Sequence, residues 1–158
     1  MRWRYAIDDI AGLPKGGWIG VDPGRSSGGL AYLTEEAGWC RKISDLTDAE
    51  LWRVFEALGR RAPAHAQLER VSAMPGQGVS STFKFGASFG ELRMALTAIR
   101  VPLSLVTPSK WQRDLGCLSK GDKNATKARA QQLYPDARLT HATADAVLIA
   151  HHTRITKP

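Results

Sequence analysis

Three acidic residues lie where a sequence selected only for packing would place apolar side chains. Asp22 ends a short apolar run typical of a buried strand, Glu69 ends a second predicted strand, and Asp145 falls within an apolar stripe of the last predicted helix. A carboxylate on a packed face is costly unless it is paired or bound to a cation. The three are therefore candidates for a functional site, although each alone could be a turn residue, a strand-end charge or a helix N-terminal charge.

The chemistry open to three clustered carboxylates is the binding of hard divalent cations. Repulsion would force at least one of them to take up a proton unless a cation neutralised the group. Oxygen ligands suit Mg²⁺, with Mn²⁺ able to substitute, better than Zn²⁺. Two such ions about 3.5–4 Å apart can stabilise both the attacking water and the departing oxygen of a phosphodiester. The three acids thus indicate phosphodiester hydrolysis with two ions per active site.

The net charge of the chain has the opposite sign to this candidate site. Lys and Arg outnumber Asp and Glu by 22 to 15, which gives a net charge of +7. A basic balance favours a polyanionic partner, either nucleic acid or an anionic membrane surface. A nuclease would have both a basic net charge and an acidic site, because basic side chains bind the phosphate backbone while carboxylates bind the metal. The alternative is a basic protein without such a partner.

The composition is typical of one globular domain. The 158 residues, 43% of them hydrophobic, suffice for a single core, so we expect one domain over residues 1–158. No apolar run approaches the roughly 18 residues of a membrane span, and the N-terminus lacks a signal core. Cys40 and Cys117 are expected to be buried thiols in a reducing cytoplasm. We therefore expect a cytoplasmic protein with no membrane contact.

The elements that position the acids begin after an irregular leader. Glycine and proline punctuate residues 1–16, so no strand or helix is expected there. Apolar runs separated by turns then predict a meander of three strands at 18–22, 29–33 and 38–43. The first of these strands ends at Asp22.

Helices and strands alternate in the rest of the chain. Thr47 and Glu50 fit a capping box that begins a helix, and the strand 64–69 follows that helix. A strand after a helix favours parallel pairing through a right-handed crossover, which brings Asp22 and Glu69 to one edge of the sheet. The remaining predicted elements are a helix ending near Arg100, a strand at 103–106, a short helix from Pro108, and helices at about 122–134 and 142–154. The pattern predicts a mixed five-stranded α/β sheet flanked by helices.

Two glycines interrupt the long helix that should end near Arg100. Gly86 and Gly90 are four residues apart, and glycine inside a helix costs about 1 kcal/mol relative to alanine. Close approach of another helix would offset this cost. That helix could belong to a second subunit or to the same chain.

Four motifs, in this order, resemble those of the RuvC family of Holliday-junction resolvases, especially its phage-borne members. They are GVDPGRSSGGLAYL at Gly20–Leu33, LERVSAMPGQGVSSTFKFGASFG at Leu68–Gly90, VTPSKWQRDLG at Val106–Gly116 and ADAVLIAHH at Ala144–His152. The resemblance places the family's metal-binding acids at Asp22, Glu69 and Asp145. It implies a ribonuclease-H-like fold, Mg²⁺-dependent cleavage of four-way or otherwise branched DNA, a homodimer, and a bacterial or phage-infected host cell.

The chain departs from the family pattern at two positions. Many members carry a fourth acidic or histidine ligand where this chain has Ala142, so His141 is the candidate for binding the second metal, or it only begins the helix. Some members have an aromatic residue where this chain has Ser72. That junction-probing role would fall here to Phe83 or Phe85.

Basic residues cluster in the second half of the chain. Lys123 matches a family lysine near the scissile phosphate and is assigned a catalytic role by the resemblance; Lys127 shares its helix face. The candidate DNA-binding residues are Lys110, Arg113, Lys120, Lys123, Lys127, Phe83, Lys84 and Phe85. The alternative is an ordinary solvated basic face. His151 and His152 have no partner spacing for a transition-metal site and are expected to be surface or supporting residues.

Three hypotheses follow. The favoured one is a crossover junction endodeoxyribonuclease that leaves a 5′-phosphate and a 3′-hydroxyl. The second is a structure-selective DNA-binding protein that keeps the fold without turnover. The third is a ribonuclease-H-like nuclease that acts on flaps or RNA–DNA hybrids. The sequence leaves open whether the biological task is recombination and repair or the trimming of branched DNA before packaging.

Overall fold

A mixed six-stranded sheet forms the centre of the protein. The computed structural model describes residues 1–72, 76, 78–118 and 121–157. The strands are β1 (Arg2–Arg4), β2 (Trp18–Asp22), β3 (Gly29–Leu33), β4 (Ala37–Lys42), β5 (His65–Glu69) and β6 (Leu103–Val106), arranged in the order β1-β4-β3-β2-β5-β6. The meander β2-β3-β4 is antiparallel, and β5 adds to it in parallel, as the sequence predicts. Strand β6 pairs with β5, also in parallel.

Within the described residues, five α-helices cover the sheet. They are α1 (Asp48–Gly59), α2 (Val79–Ala98), α3 (Pro108–Asp114), α4 (Lys123–Leu133) and α5 (His141–Thr156), and short 3₁₀ turns lie at Asp8–Gly12 and Ile43–Asp45. The predicted capping box is present at α1, where Thr47 and Glu50 each accept a main-chain N–H of the other. The predicted α/β class, a ribonuclease-H-like sheet flanked by helices, is confirmed.

The prediction of an irregular leader over residues 1–16 is wrong. Arg2–Arg4 forms an edge strand parallel to β4, and Ile10 is fully buried in the core. The sheet therefore has six strands where the sequence predicts five. A three-residue strand is too short to show a period of two, and its hydrogen bonds come from the edge of β4, a partner that lies more than 30 residues away in sequence.

The sheet separates two apolar layers by the alternation of side chains along its strands. Ile19 and Val21 of β2 face one layer, which α1 and α2 cover, whereas Ala31 and Leu33 of β3 face the other, which α4 and α5 cover. Gly20, which lies between these two residues of β2, faces α5. Helix α5 lies across β2, β3 and β5 and is the central element of its layer.

Gly86 and Gly90 have no packing partner among the described residues. A Cβ built at either position would meet no described atom within 4 Å. The interpretation that they allow an internal helix contact is therefore wrong, because their face of α2 points away from the molecule. A contact with a second subunit stays a prediction.

Both cysteines are buried free thiols, as predicted. Burial raises the pKa of Cys40 to about 12 and also raises that of Cys117, so neither is a reactive thiolate at neutral pH. Among the helices that the structure describes, none has the length and apolar character to span a membrane.

Candidate active site

Asp22, Glu69 and Asp145 line one pocket at the carboxyl ends of β2 and β5. The pocket has a volume of about 250 Å³. Its other lining residues are Pro23, Ser27, Phe85, Pro108, Trp111, Gln112, Gly121, Asp122 and Thr126. The structure thus brings together three acids that are 47 and 76 residues apart in sequence (69 − 22 and 145 − 69).

Strand pairing places Asp22 next to Glu69. Strands β2 and β5 are parallel with Val21 opposite Leu68, so Asp22 and Glu69, the last residue of each strand, lie side by side at the same edge of the sheet. Asp22 lies two residues after Gly20 and therefore points to the same side of the sheet, the side that α5 covers. Both acids are half-buried.

Helix packing brings Asp145 to the same edge. Helix α5 begins with a capping box between Thr140 and Thr143, and Asp145 follows in its second turn. Its neighbour Ala146 approaches the main chain of Gly20, which brings the helix close to β2. Asp145 is half-buried between fully buried Ala144 and Ala146, as expected for a carboxylate on a packed helix face.

Trp111 of α3 contacts one of the three acids. Its indole Nε1 donates a hydrogen bond of 2.7 Å to Oε2 of Glu69, and the tryptophan is fully buried. The sequence analysis did not single out Trp111, because nothing local to the VTPSKW segment indicates that its indole reaches a residue 42 positions earlier. Asp122 and Thr126 also line the pocket without having been predicted.

A second polar link lies behind the pocket. His152 of α5 contacts Gln67 of β5 through Nδ1 at 2.7 Å and Asp114 of α3 through Nε2 at 2.8 Å. His152 is 1% exposed. Its position therefore fits the expected role of a supporting residue, and the alternative of a surface residue is wrong. Hydrogen bonds from Lys110 and from His152 lower the pKa of Asp114.

His151 lies on a different side of α5 from His152. Its Nδ1 is 2.7 Å from the hydroxyl of Tyr134, and Arg154 lies nearby at 3.4 Å. Burial, followed by the charge of Arg154, lowers the pKa of His151 to about 4. The side chain is therefore neutral at physiological pH and supports the packing of α4 against α5.

In the described part of the chain, the side chains do not form a preassembled metal cage. Among the described residues, no group of three or more His, Cys, Asp or Glu side chains is arranged so that it could hold an ion. His141 is exposed at the first position of α5 and is not among the pocket-lining residues, which fits its alternative role of beginning the helix. The three predicted acids of the pocket nevertheless offer only oxygen atoms as ligands, and these are the ligand atoms that Mg²⁺ and Mn²⁺ prefer.

The predicted DNA-binding residues are spread over α2, α3 and α4. Phe85 reaches the pocket, whereas Phe83 is 76% exposed and Lys84 is exposed beside it. On α3, Arg113 is exposed and Lys110 forms a 2.9 Å ion pair with Asp114. Lys127 of α4 is half-buried. Lys120 and the side chain of Lys123 lie outside the described residues.

Comparison with solved structures relates the fold to that of known resolvases. No family model matches the chain, and no curated protein matches it at a significant level. The structure of RuvC from Thermus thermophilus in complex with a Holliday junction substrate is similar with a TM-score of 0.59 and 20% sequence identity, covering 90% of this chain and 97% of that one. A second structure of Thermus thermophilus RuvC gives a TM-score of 0.59 and 20% identity over 89% of this chain and 97% of that one.

A third similar structure is the yeast mitochondrial Holliday junction resolvase Ydc2. Its TM-score is 0.49 at 14% identity, with 91% of this chain and 81% of that one covered. Because the two Thermus structures share only 20% of their sequence with this chain, the similarity is one of fold. The chain therefore has the ribonuclease-H-like fold found in RuvC.

Proposed function

We propose that the protein is a metal-dependent endonuclease that cleaves Holliday junctions and other branched DNA. The observation that carries the proposal is the convergence of Asp22, Glu69 and Asp145, from two strands and a helix, on one pocket of a RuvC-like fold. A purely structural role would not require three carboxylates at the same edge, since burying them together is costly. The solved complex of Thermus thermophilus RuvC with a Holliday junction substrate supports a junction as the substrate.

The three carboxylates are proposed to hold two Mg²⁺ ions, with Mn²⁺ able to substitute and with His141 as a candidate fourth ligand. Bound divalent ions would neutralise the carboxylates and act as Lewis acids on the phosphodiester.

The residues around the acids have separate roles in this proposal. Half-burial of Asp22, Glu69 and Asp145 keeps part of the pocket away from bulk water and so strengthens electrostatic interactions there. Lys123 is assigned to the scissile phosphate. Lys84, Lys110, Arg113, Lys120 and Lys127 would hold phosphates, and Phe83 and Phe85 would stack on unpaired bases. The products would carry a 5′-phosphate and a 3′-hydroxyl.

We infer that the chain acts as a homodimer of single-domain subunits. A four-way junction requires two strands to be cut, and a twofold dimer provides two active sites for them. The face of α2 that carries Gly86 and Gly90 is open, and Val79 and Met94 of the same helix are exposed. Such a face is suitable for a partner subunit. We place the protein in the cytoplasm of a bacterial or phage-infected cell, where DNA is accessible and thiols stay reduced.

A substrate panel tests the function. Labelled four-way junction, flap, linear duplex and RNA–DNA hybrid are incubated with the protein and Mg²⁺, with and without EDTA. We expect fastest cleavage of the junction and none in EDTA. Faster cleavage of flap or hybrid would assign the same catalysis to another substrate.

The second candidate is a structure-selective DNA-binding protein without turnover. The net charge of +7 supports binding to a polyanion whether or not the acids catalyse its cleavage. Tight, Mg²⁺-independent binding of the junction with no cleavage of any substrate in the panel would identify this function and exclude the nuclease.

A further inference from the structure

The Glu69 carboxylate is held by the indole of Trp111. Glu69 ends β5, and the parallel strand β6 runs beside it with Val106 opposite Glu69. After Val106 the chain passes at once into α3, whose first residue is Pro108, so Trp111 is reached within about one helical turn. Its Nε1 lies 2.7 Å from Oε2 of Glu69. Strand register and a short connection thus deliver the indole to the carboxylate.

The chemistry of this contact favours a fixed carboxylate. An indole N–H is only a donor and has no second protonation state at ordinary pH, so it offers Glu69 one unchanging bond. A hydrogen bond to an ionised acceptor is shorter and stronger than one between neutral groups, which agrees with 2.7 Å. Trp111 is 0% exposed, so solvent cannot replace Glu69 as the acceptor without moving the helix.

Helix α3 is itself tied to β5 at a second point. Asp114, one turn after Trp111, contacts His152, which in turn contacts Gln67. Gln67 lies two residues before Glu69 on the same strand and faces the same side of the sheet. The two links therefore join α3 to β5 at the middle of the helix and at its last residue, and the link through His152 helps to hold the indole in place.

We propose that Trp111 is a positioning residue that fixes the orientation of the Glu69 carboxylate for cation binding. The claim that this orientation serves cation binding rests on the proposed nuclease function. The claim that Trp111 orients the carboxylate rests on the hydrogen bond alone. Loss of such a supporting hydrogen bond around a metal ligand typically lowers metal affinity or activity by about 10- to 100-fold.

The chain contains a matched control for Trp111. Trp39 is also 0% exposed and also donates its indole N–H, at 2.9 Å, but to the main-chain carbonyl of Ala6 and not to an acid of the pocket. Trp111→Phe and Trp39→Phe thus remove the same atoms and one partly buried hydrogen bond each. We expect similar losses of melting temperature in both variants.

The two variants should differ in their response to cations. Calorimetric titration of Mn²⁺ should give a dissociation constant about 10- to 100-fold higher for Trp111→Phe than for the wild type, and an unchanged one for Trp39→Phe. Junction cleavage should fall in parallel, with the Mg²⁺ concentration at half-maximal rate raised. Equal Mn²⁺ affinity and equal cleavage in both variants would overturn the positioning role.

Nuclear magnetic resonance tests the hydrogen bond without any activity. In ¹⁵N-labelled protein the indole signal of Trp111 is identified by its loss in Trp111→Phe. Replacing Glu69 with Gln supplies a weaker, neutral acceptor, so the Trp111 signal should move upfield and the Trp39 signal should stay. A Trp111 signal that moves no more than that of Trp39 overturns the proposal. If the wild type cleaves nothing in the substrate panel, the nuclease fails while this readout still decides the Trp111 contact.

Discussion

Gly20 of β2 and Ala146 of α5 are in main-chain contact, since a Cβ built on Gly20 would lie 2.2 Å from the carbonyl oxygen of Ala146 and 2.2 Å from the amide nitrogen of Ala150. Gly29 of β3 has the same relationship to Ala142, at 2.4 Å. The alanines recur every four residues, so one face of α5 rests directly on the sheet. This close packing sets the distance between Asp145 and Asp22.

The contact predicts that Gly20→Ala is strongly destabilising. The neighbours of the new methyl group are main-chain atoms that cannot rotate away, and overpacking typically costs about 1–3 kcal/mol. We expect a loss at or above the upper end of that range, measured by urea denaturation. The control is Gly86→Ala, where the new methyl group meets no described atom and helix propensity favours alanine by about 1 kcal/mol. An unchanged stability of Gly20→Ala would contradict the described packing of α5.

Asp22→Asn and Asp145→Asn should separate binding from cleavage. Each keeps the size of the side chain but removes a negative charge from the pocket, so we expect junction binding to persist while cleavage falls at least 100-fold, about 2.7 kcal/mol in barrier height. Gel shift and single-turnover cleavage on the same labelled junction measure the two properties. Asp136→Asn, an exposed change in the turn between α4 and α5, is the control. Full activity of either pocket variant would refute the proposed mechanism.

Salt dependence should report on the basic residues. Arg113 is exposed on α3 and Lys127 lies on α4, the helix that follows the pocket residues Gly121 and Asp122. If each contacts one phosphate, changing it to Ala should flatten the slope of log affinity against log salt by about 0.9 on duplex arms. Fluorescence anisotropy with a labelled junction measures the slope. Lys15→Ala, just before the start of β2 and so at the opposite end of that strand from Asp22, should leave the slope unchanged.

Acid should destabilise the protein partly through His151. Its pKa in the folded protein is lowered to about 4 from an ordinary value of 6.5, so below pH 6.5 the unfolded chain binds a proton that the folded one does not. Stability from this residue is therefore lost as the pH falls from about 6.5 to about 4, with a slope of at most about 1.4 kcal/mol per pH unit.

The variant His151→Gln should show a shallower loss of stability over that range. Gln keeps an acceptor for the hydroxyl of Tyr134, which lies 2.7 Å from Nδ1 of His151, but it does not titrate. Urea denaturation at pH 4.5, 5.5 and 7 measures the slope. Parallel curves for the variant and the wild type would show that the side chain of His151 does not account for the loss of stability in acid.

Much of the fold follows from local signals in the sequence. The strand Leu103–Val106 and the capping box of Thr47 and Glu50 are found where predicted, because a period of two and a cap each involve only neighbouring residues. The proximity of Asp22 and Glu69 also follows from the sequence. Parallel strands that each end in an acid must present both acids at one edge, whatever else the chain does.

The edge strand Arg2–Arg4, the burial of His152 and the bond between Trp111 and Glu69 were decided only by tertiary structure. Each depends on a partner that lies at least 33 residues away along the chain, so no local periodicity or spacing records it. The residue types determined which chemistry the protein could perform. The register of β5 against β6 and the packing of α5 against β2 determined which side chains meet, because short-range contacts between distant segments exist only once the chain has folded.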